Sequence, residues 1–239
     1  MKINISSGHN PDGKVACGAV GLIKESTEAR KVKDLLIPKL KTQGHTVYDC
    51  TVNDGTSQND VLTKIVKKCN ANTVDLDISI HFNAGANDST GNGITTGTEC
   101  LVYKTGTKAG DYAYKICESI SKLGYRNRGV KVRTDLYFLN NTKAEAVLVE
   151  CCFVDDADDV KLYNAEKMAQ AIAEAIGYAE GFKEDLEVVE ESKIIVNGKE
   201  ISVRRILKDG TNYIAIRDVA SALGYEIGNQ GNVAVLDKK

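Results

Sequence analysis

Only three histidines occur in this 239-residue chain, and two of them close apolar runs. His9 follows Ile3-Asn4-Ile5-Ser6-Ser7-Gly8, and His81 follows Leu76-Asp77-Ile78-Ser79-Ile80. Glu25 opens a strongly helical stretch, and Glu150 ends a third apolar run, Ala146-Val147-Leu148-Val149. Two imidazoles and a carboxylate, with a second carboxylate to spare, are the parts of a hydrolytic zinc site. Such a site needs three protein ligands, an open position for water and a base beside it. Each residue also has an ordinary reading. A histidine can simply end a strand, and a first-turn acid suits a helix dipole. Glu150 has the sharper claim, because a carboxylate behind four apolar residues is costly to bury unless it is paired or has work to do. His45 precedes a strand instead of following one, which is the wrong end of a sheet for a ligand.

The elements around these residues alternate. Residues 3–6, 46–52, 76–82, 98–103, 136–139 and 147–152 read as strands. Residues 25–43 carry Ala29, Val32, Leu35, Leu36 and Leu40 at the helical period, and Gly44 stops them. Residues 58–69 and 108–123 repeat that period, and a long helix over about 164–182 closes the segment. Alternation of this kind implies an α/β fold: a mostly parallel sheet of about six strands flanked by helices. Ligands in such folds gather at the carboxyl ends of strands. His9, His81 and Glu150 all fall there.

The style changes after residue 182. Residues 183–191 hold five acids and one lysine and read as an acidic linker. Residues 192–239 read as a small α+β module. A hairpin with an Asn197-Gly198 turn comes first, then a turn at Asp209-Gly210 and a strand at 213–216. A short helix at 218–223 and a strand at 233–236 follow. From Ser192 onward there are eight Lys or Arg and five Asp or Glu, a net of +3 on a chain whose total is −2. A basic tail on an acidic body hints at an anionic partner surface.

Composition narrows the function classes. A net charge of −2 carries no nucleic-acid signal. No stretch approaches the roughly 18 apolar residues of a membrane span. The opening Met1-Lys2-Ile3-Asn4-Ile5 enters a strand at once, so no signal peptide is expected and synthesis is expected in a cytoplasm. An extracellular target would be reached by another exit, such as lysis. The seven cysteines lack any C-x-x-C pair, which suits reduced core thiols over a disulfide framework. Cys17, between His9 and Glu25, is the one to check as a further metal ligand.

Several segments together carry a resemblance. Ser7-Gly8-His9, Glu25, Ser79-Ile80-His81-Phe82-Asn83-Ala84, Gly97-Thr98-Glu99, Asn127-Arg128-Gly129-Val130-Lys131, Leu136-Tyr137-Phe138-Leu139 and Val147-Leu148-Val149-Glu150 occur in this order. Over about residues 1–180 the chain resembles the zinc-dependent N-acetylmuramoyl-L-alanine amidases of the amidase 3 type. The resemblance implies zinc held by His9, Glu25 and His81, with Glu150 catalytic. The glycine-phenylalanine usual after that glutamate is here Cys151-Cys152-Phe153. The tail resembles stalk-like or copper-amine-oxidase N-terminal-like modules, and its lack of histidine removes any implication of copper.

These readings set the expectations. Residues 1–182 form a zinc amidase domain acting on peptidoglycan, in the manner of a phage endolysin. Asn83 and Arg128 contact substrate or support the ligands. Residues 192–239 target an anionic wall polymer or pair two copies through hairpin edges. Two other readings stay open: a zinc peptidase cutting stem peptides, and a non-catalytic wall-binding protein whose structural zinc is closed by Cys17.

Overall fold

A computed structural model describes residues 1–180, 190–208, 211–230 and 233–238. The chain divides into two compact units, Met1–Phe182 and Lys183–Lys239.

The first unit is built by the expected alternation. Strand β1 (Lys2–Ser7) leads into α1 (Glu25–Thr42), β2 (Thr46–Asp49), α2 (Gln58–Asn70) and β3 (Leu76–Asn83). Then come β4 (Thr98–Val102), α3 (Lys108–Ser121), β5 (Asn127–Val132), α4 (Tyr137–Asn141), β6 (Ala146–Phe153), α5 (Ala157–Leu162) and α6 (Ala165–Ile176). Helix starts follow side-chain chemistry. Ser57, Thr107, Asp156 and Asn164 each accept a hydrogen bond from an otherwise unpaired first-turn amide.

Six strands form one sheet in the order β2-β1-β3-β6-β4-β5. Strands β2, β1, β3 and β6 run parallel, while β4 pairs with β6 antiparallel and with β5 parallel. The polarity of the sheet therefore reverses between β6 and β4. Both faces are covered, so strand residues alternate between two apolar layers. Val147 and Val149 join the layer under α1, α3 and α6, and Leu148 joins the layer with α2 and α4.

Two local expectations change. Residues 136–139 are not a strand: Tyr137–Asn141 is a single helical turn whose Phe138 and Leu139 plug the second layer. An apolar run of four cannot distinguish a strand from one buried turn by period. The sixth strand is β5, whose Asn127-Arg128-Gly129 start hid it. The closing helix is also shorter than expected, because Gly177 leaves the helical region at φ 73°.

The loop between β3 and β4 is held by one short acidic run. Asp155 accepts from the amides of Gly85, Ala86 and Asn87, and Asp158 accepts from those of Asn92 and Gly93. Asp156 accepts from the Thr96 amide, and Asp159 from the Gly97 amide.

The second unit contains β7 (Glu190–Val196), β8 (Lys199–Lys208), β9 (Thr211–Ile214), α7 (Ile216–Ala222), β10 (Tyr225–Gln230) and β11 (Val233–Lys238). Strands β7-β8-β9 form an antiparallel sheet, and β10-β11 a hairpin. Asn197 and Gly198 take φ 52° and 76°, the left-handed pair that an Asn-Gly hairpin turn requires. Arg204 grips Asp218 with Nε at 3.1 Å and Nη2 at 2.8 Å. Most of the expected linker, and the expected turn at Asp209-Gly210, lie outside the described residues. Glu190 and Glu191 open β7.

Candidate metal centre

His9, Glu25 and His81 converge, although 72 positions of sequence separate the first from the last. Their ligand atoms all lie within 4.8 Å of one another. Glu25 Oε1 stands 3.1 Å from His9 Nε2 and 3.0 Å from His81 Nδ1. The two imidazoles meet edge to face at 4.8 Å.

Each side chain is aimed by its element. His9 leaves the end of β1, where Gly8 donates to the Ile80 carbonyl. A Cβ on Gly8 would stand 1.8 Å from His81 Nε2, so only glycine lets the two strands bring both histidines together. Arg30 Nη2 donates to the His9 carbonyl at 2.8 Å. Glu25 is the first residue of α1, where its Oε2 accepts the Ala19 amide at 2.8 Å and its Oε1 the Phe82 amide at 3.2 Å. His81 lies within β3. Its Nε2 is 3.0 Å from Ser79 Oγ, a contact that fixes the ring and leaves Nδ1 toward Glu25.

Burial opposes the charge on Glu25, but the hydrogen bonds from His81 and His9 outweigh it and hold the carboxyl well below the usual range. Burial also lowers the His81 imidazole, against the pull of Glu25. A neutral imidazole is the form that binds metal.

Glu150 stands directly across β3–β6 from His81 and across β4–β6 from Glu99. Its Oε2 is buried without a hydrogen-bond partner. Burial, then the negative charges of Glu25 and Glu99, push its carboxyl well above the usual range. A cation among the three convergent ligands would supply the positive charge this carboxyl lacks. Two imidazoles, a carboxylate and an orphaned carboxylate alongside are therefore a donor set that fits a zinc ion.

Asn83 and Arg128 meet on a residue the sequence reading did not select. Asn83 Nδ2 donates to Glu99 Oε1 at 2.8 Å, and Arg128 Nε donates to Glu99 Oε2 at 2.9 Å. The available signal was a lone acid before the buried run Cys100-Leu101-Val102. Ser79 was also missed, since nothing in a strand marks which serine faces a ring. Cys17 is not a member of the convergent group. His45 lies elsewhere, with Nε2 2.7 Å from the Gly177 carbonyl oxygen.

A family profile described as N-acetylmuramoyl-L-alanine amidase matches residues 3–180. The chain belongs to this amidase family. An uncharacterised protein of Clostridium perfringens strain 13 is 38% identical over 234 residues, covering 95% of this chain and 66% of its own length. The endolysin of Bacillus phage SPP1 is 30% identical over 194 residues, covering 79% of this chain and 67% of its own. Among solved structures, the catalytic domain of the CD27L endolysin, described as targeting Clostridia difficile, is 28% identical. It superposes with a TM-score of 0.65 over 74% of this chain and 96% of that one. The chain thus spans 66% and 46% of the length of two curated Clostridium perfringens relatives. Among the described residues of this amidase-family chain, no helix is long and apolar enough to cross a membrane.

Proposed function

We propose that the chain is a zinc-dependent peptidoglycan hydrolase that cleaves the amide between N-acetylmuramic acid and L-alanine. His9, Glu25 and His81 hold the metal, and Glu150 is the catalytic base. The observation that carries the reading is the meeting of three ligand atoms within 4.8 Å beside the unpartnered Glu150 Oε2. Zinc bound there supplies Lewis acidity and lowers the pKa of water toward about 7. Glu150 takes a proton at Oε2 and returns it to the departing alanine nitrogen. Ser79 fixes the His81 ring, and Gly8 leaves the room in which that ring sits.

Three protein ligands, with Cys17 outside the group, favour an open catalytic site over a closed structural one. The endolysin relative supports release onto a cell wall, as a phage lysin acts. Residues 1–182 serve as the catalytic domain and 192–239 as a targeting or assembly module, joined by a linker over 183–191. Mass spectrometry of products released from purified walls tests the reading. New L-alanine N-termini on intact stem peptides are expected. Cuts within the stem peptide would make the chain a peptidase, and no cuts would leave a binding protein.

A further inference from the structure

The reversed half of the sheet carries a second polar group beside the metal centre. Glu99 is 8% exposed, and both of its oxygens are engaged, one by Asn83 and the other by Arg128. Burying a carboxylate this deeply is costly unless the arrangement is needed. What it achieves is visible at Arg128. Nε is tied to Glu99, and the guanidinium carbon lies 5.0 Å over the Phe153 ring. The plane of the fork is set from the side and from below. Nη1 and Nη2 have no hydrogen-bond partner among the described residues, and the side chain is about a third exposed, at 31%. A rigid guanidinium with its outer donors open suits a planar anion.

The spacing selects which anion. Strands β3, β6, β4 and β5 are consecutive in the sheet. Neighbouring strands lie about 4.8 Å apart, so an Arg128 guanidinium drawn back over β4 sits about 10 Å from His81. Two residues of extended peptide reach about 7 Å, and an arginine–carboxylate hydrogen bond adds about 3 Å. The muramic acid side offers no anion, because its lactyl carboxyl is consumed in the amide. Of the two sides of the amide, the peptide is therefore the one that carries carboxylates.

We infer that Arg128 clamps a free carboxylate on the second residue of the stem peptide, with Glu99 as the positioning residue that holds the clamp. This rests on the proposed amidase activity and adds a specificity to it: carboxylate over carboxamide at that residue.

The test uses the whole 239-residue chain and two soluble muramoyl tripeptides, both amidated at the C-terminus. They differ only in a carboxylate or a carboxamide on the second residue. The unaltered protein should favour the carboxylate by about tenfold in kcat/KM, mostly through KM, the size of one charge-assisted hydrogen bond. Arg128→Gln should erase the preference by slowing the carboxylate substrate alone, with zinc content unchanged. Arg128→Lys should restore part of it, and Glu99→Gln should narrow it. Calorimetry with the free tripeptides and metal-free protein gives a readout apart from turnover. The carboxylate tripeptide should bind about tenfold more weakly to Arg128→Gln than to the unaltered chain. Equal rates on both substrates by the unaltered protein, or a preference that survives Arg128→Gln, would overturn the clamp while leaving the amidase reading intact. Failure to cut either substrate, with the calorimetric difference present, would instead sink the activity and keep the clamp.

Discussion

The two units use apolar residues in opposite ways. In Met1–Phe182 a sheet covered on both faces buries long runs of Ile, Val and Leu, and this rigid interior aims a few polar side chains at one edge. In the second unit Val203 and Ala220 are the buried apolar residues among those described. Ile195, Tyr213, Ile214, Ile216, Leu223 and Leu236 stay exposed there. A small unit has too little interior to hide its apolar side chains. The contrast teaches that ångström-scale chemistry needs a deep core behind it, whereas a surface for contact does not.

The comparison breaks first at the ligands if it is wrong. His9→Ala or His81→Ala should lose zinc on dialysis and with it all measurable wall hydrolysis, while the second unit stays folded. Full zinc occupancy in both variants by atomic absorption would remove the assignment. Glu150→Gln should keep zinc and lose roughly 10²-fold or more in turnover. Near-native lysis by that variant would take Glu150 out of the mechanism. Ser79→Ala frees the His81 ring and should cost about tenfold in zinc affinity, read by competition with a chelating dye. Removing the second unit by ending the chain at Phe182 should leave hydrolysis of soluble fragments within about twofold and weaken action on intact walls, where a second attachment raises local concentration. Unchanged binding, lysis and molar mass after truncation would deny the tail both targeting and assembly roles. The smallest effect should come from Gly198→Ala, which forces a Cβ into φ 76°. It should lower the stability of the second unit by about 1 kcal/mol in denaturant melts, with no change on soluble substrate.

Much of the first unit was legible because its signals are physical necessities. The helical period of Ala29, Val32, Leu36 and Leu40 and the continuous apolar strands follow from burial on two faces. His9, His81 and Glu150 could be placed at one end of the sheet because parallel strands present their carboxyl ends to ligands. That same rule gave no role to Glu99, and Arg128 was reached through the resemblance instead. Strands β4 and β5 run the other way, so their amino ends meet the site, and no local pattern announces the direction of a strand. The turn at 137–141 was too short to show a period, and β5 begins with polar residues that look like loop. The Asn197-Gly198 hairpin was legible because its backbone angles admit few residues.

The acidic run Asp155–Asp159 separates where a loop is specified from where it runs. The β3–β4 loop is held through its own amides, and the carboxylates that hold them lie some sixty residues later. Every residue except proline offers the same amide. A position such as Ala86 can therefore exchange its side chain while the path of the loop persists, whereas Thr96 also donates through Oγ1 to Asp156 and Asn92 Oδ1 accepts the Ile94 amide. The loop can thus vary where its amides alone are bonded, while proline at such an amide, loss of an aspartate, or a side chain at Gly97, whose Cβ would stand 2.0 Å from the Arg126 carbonyl oxygen, would undo it.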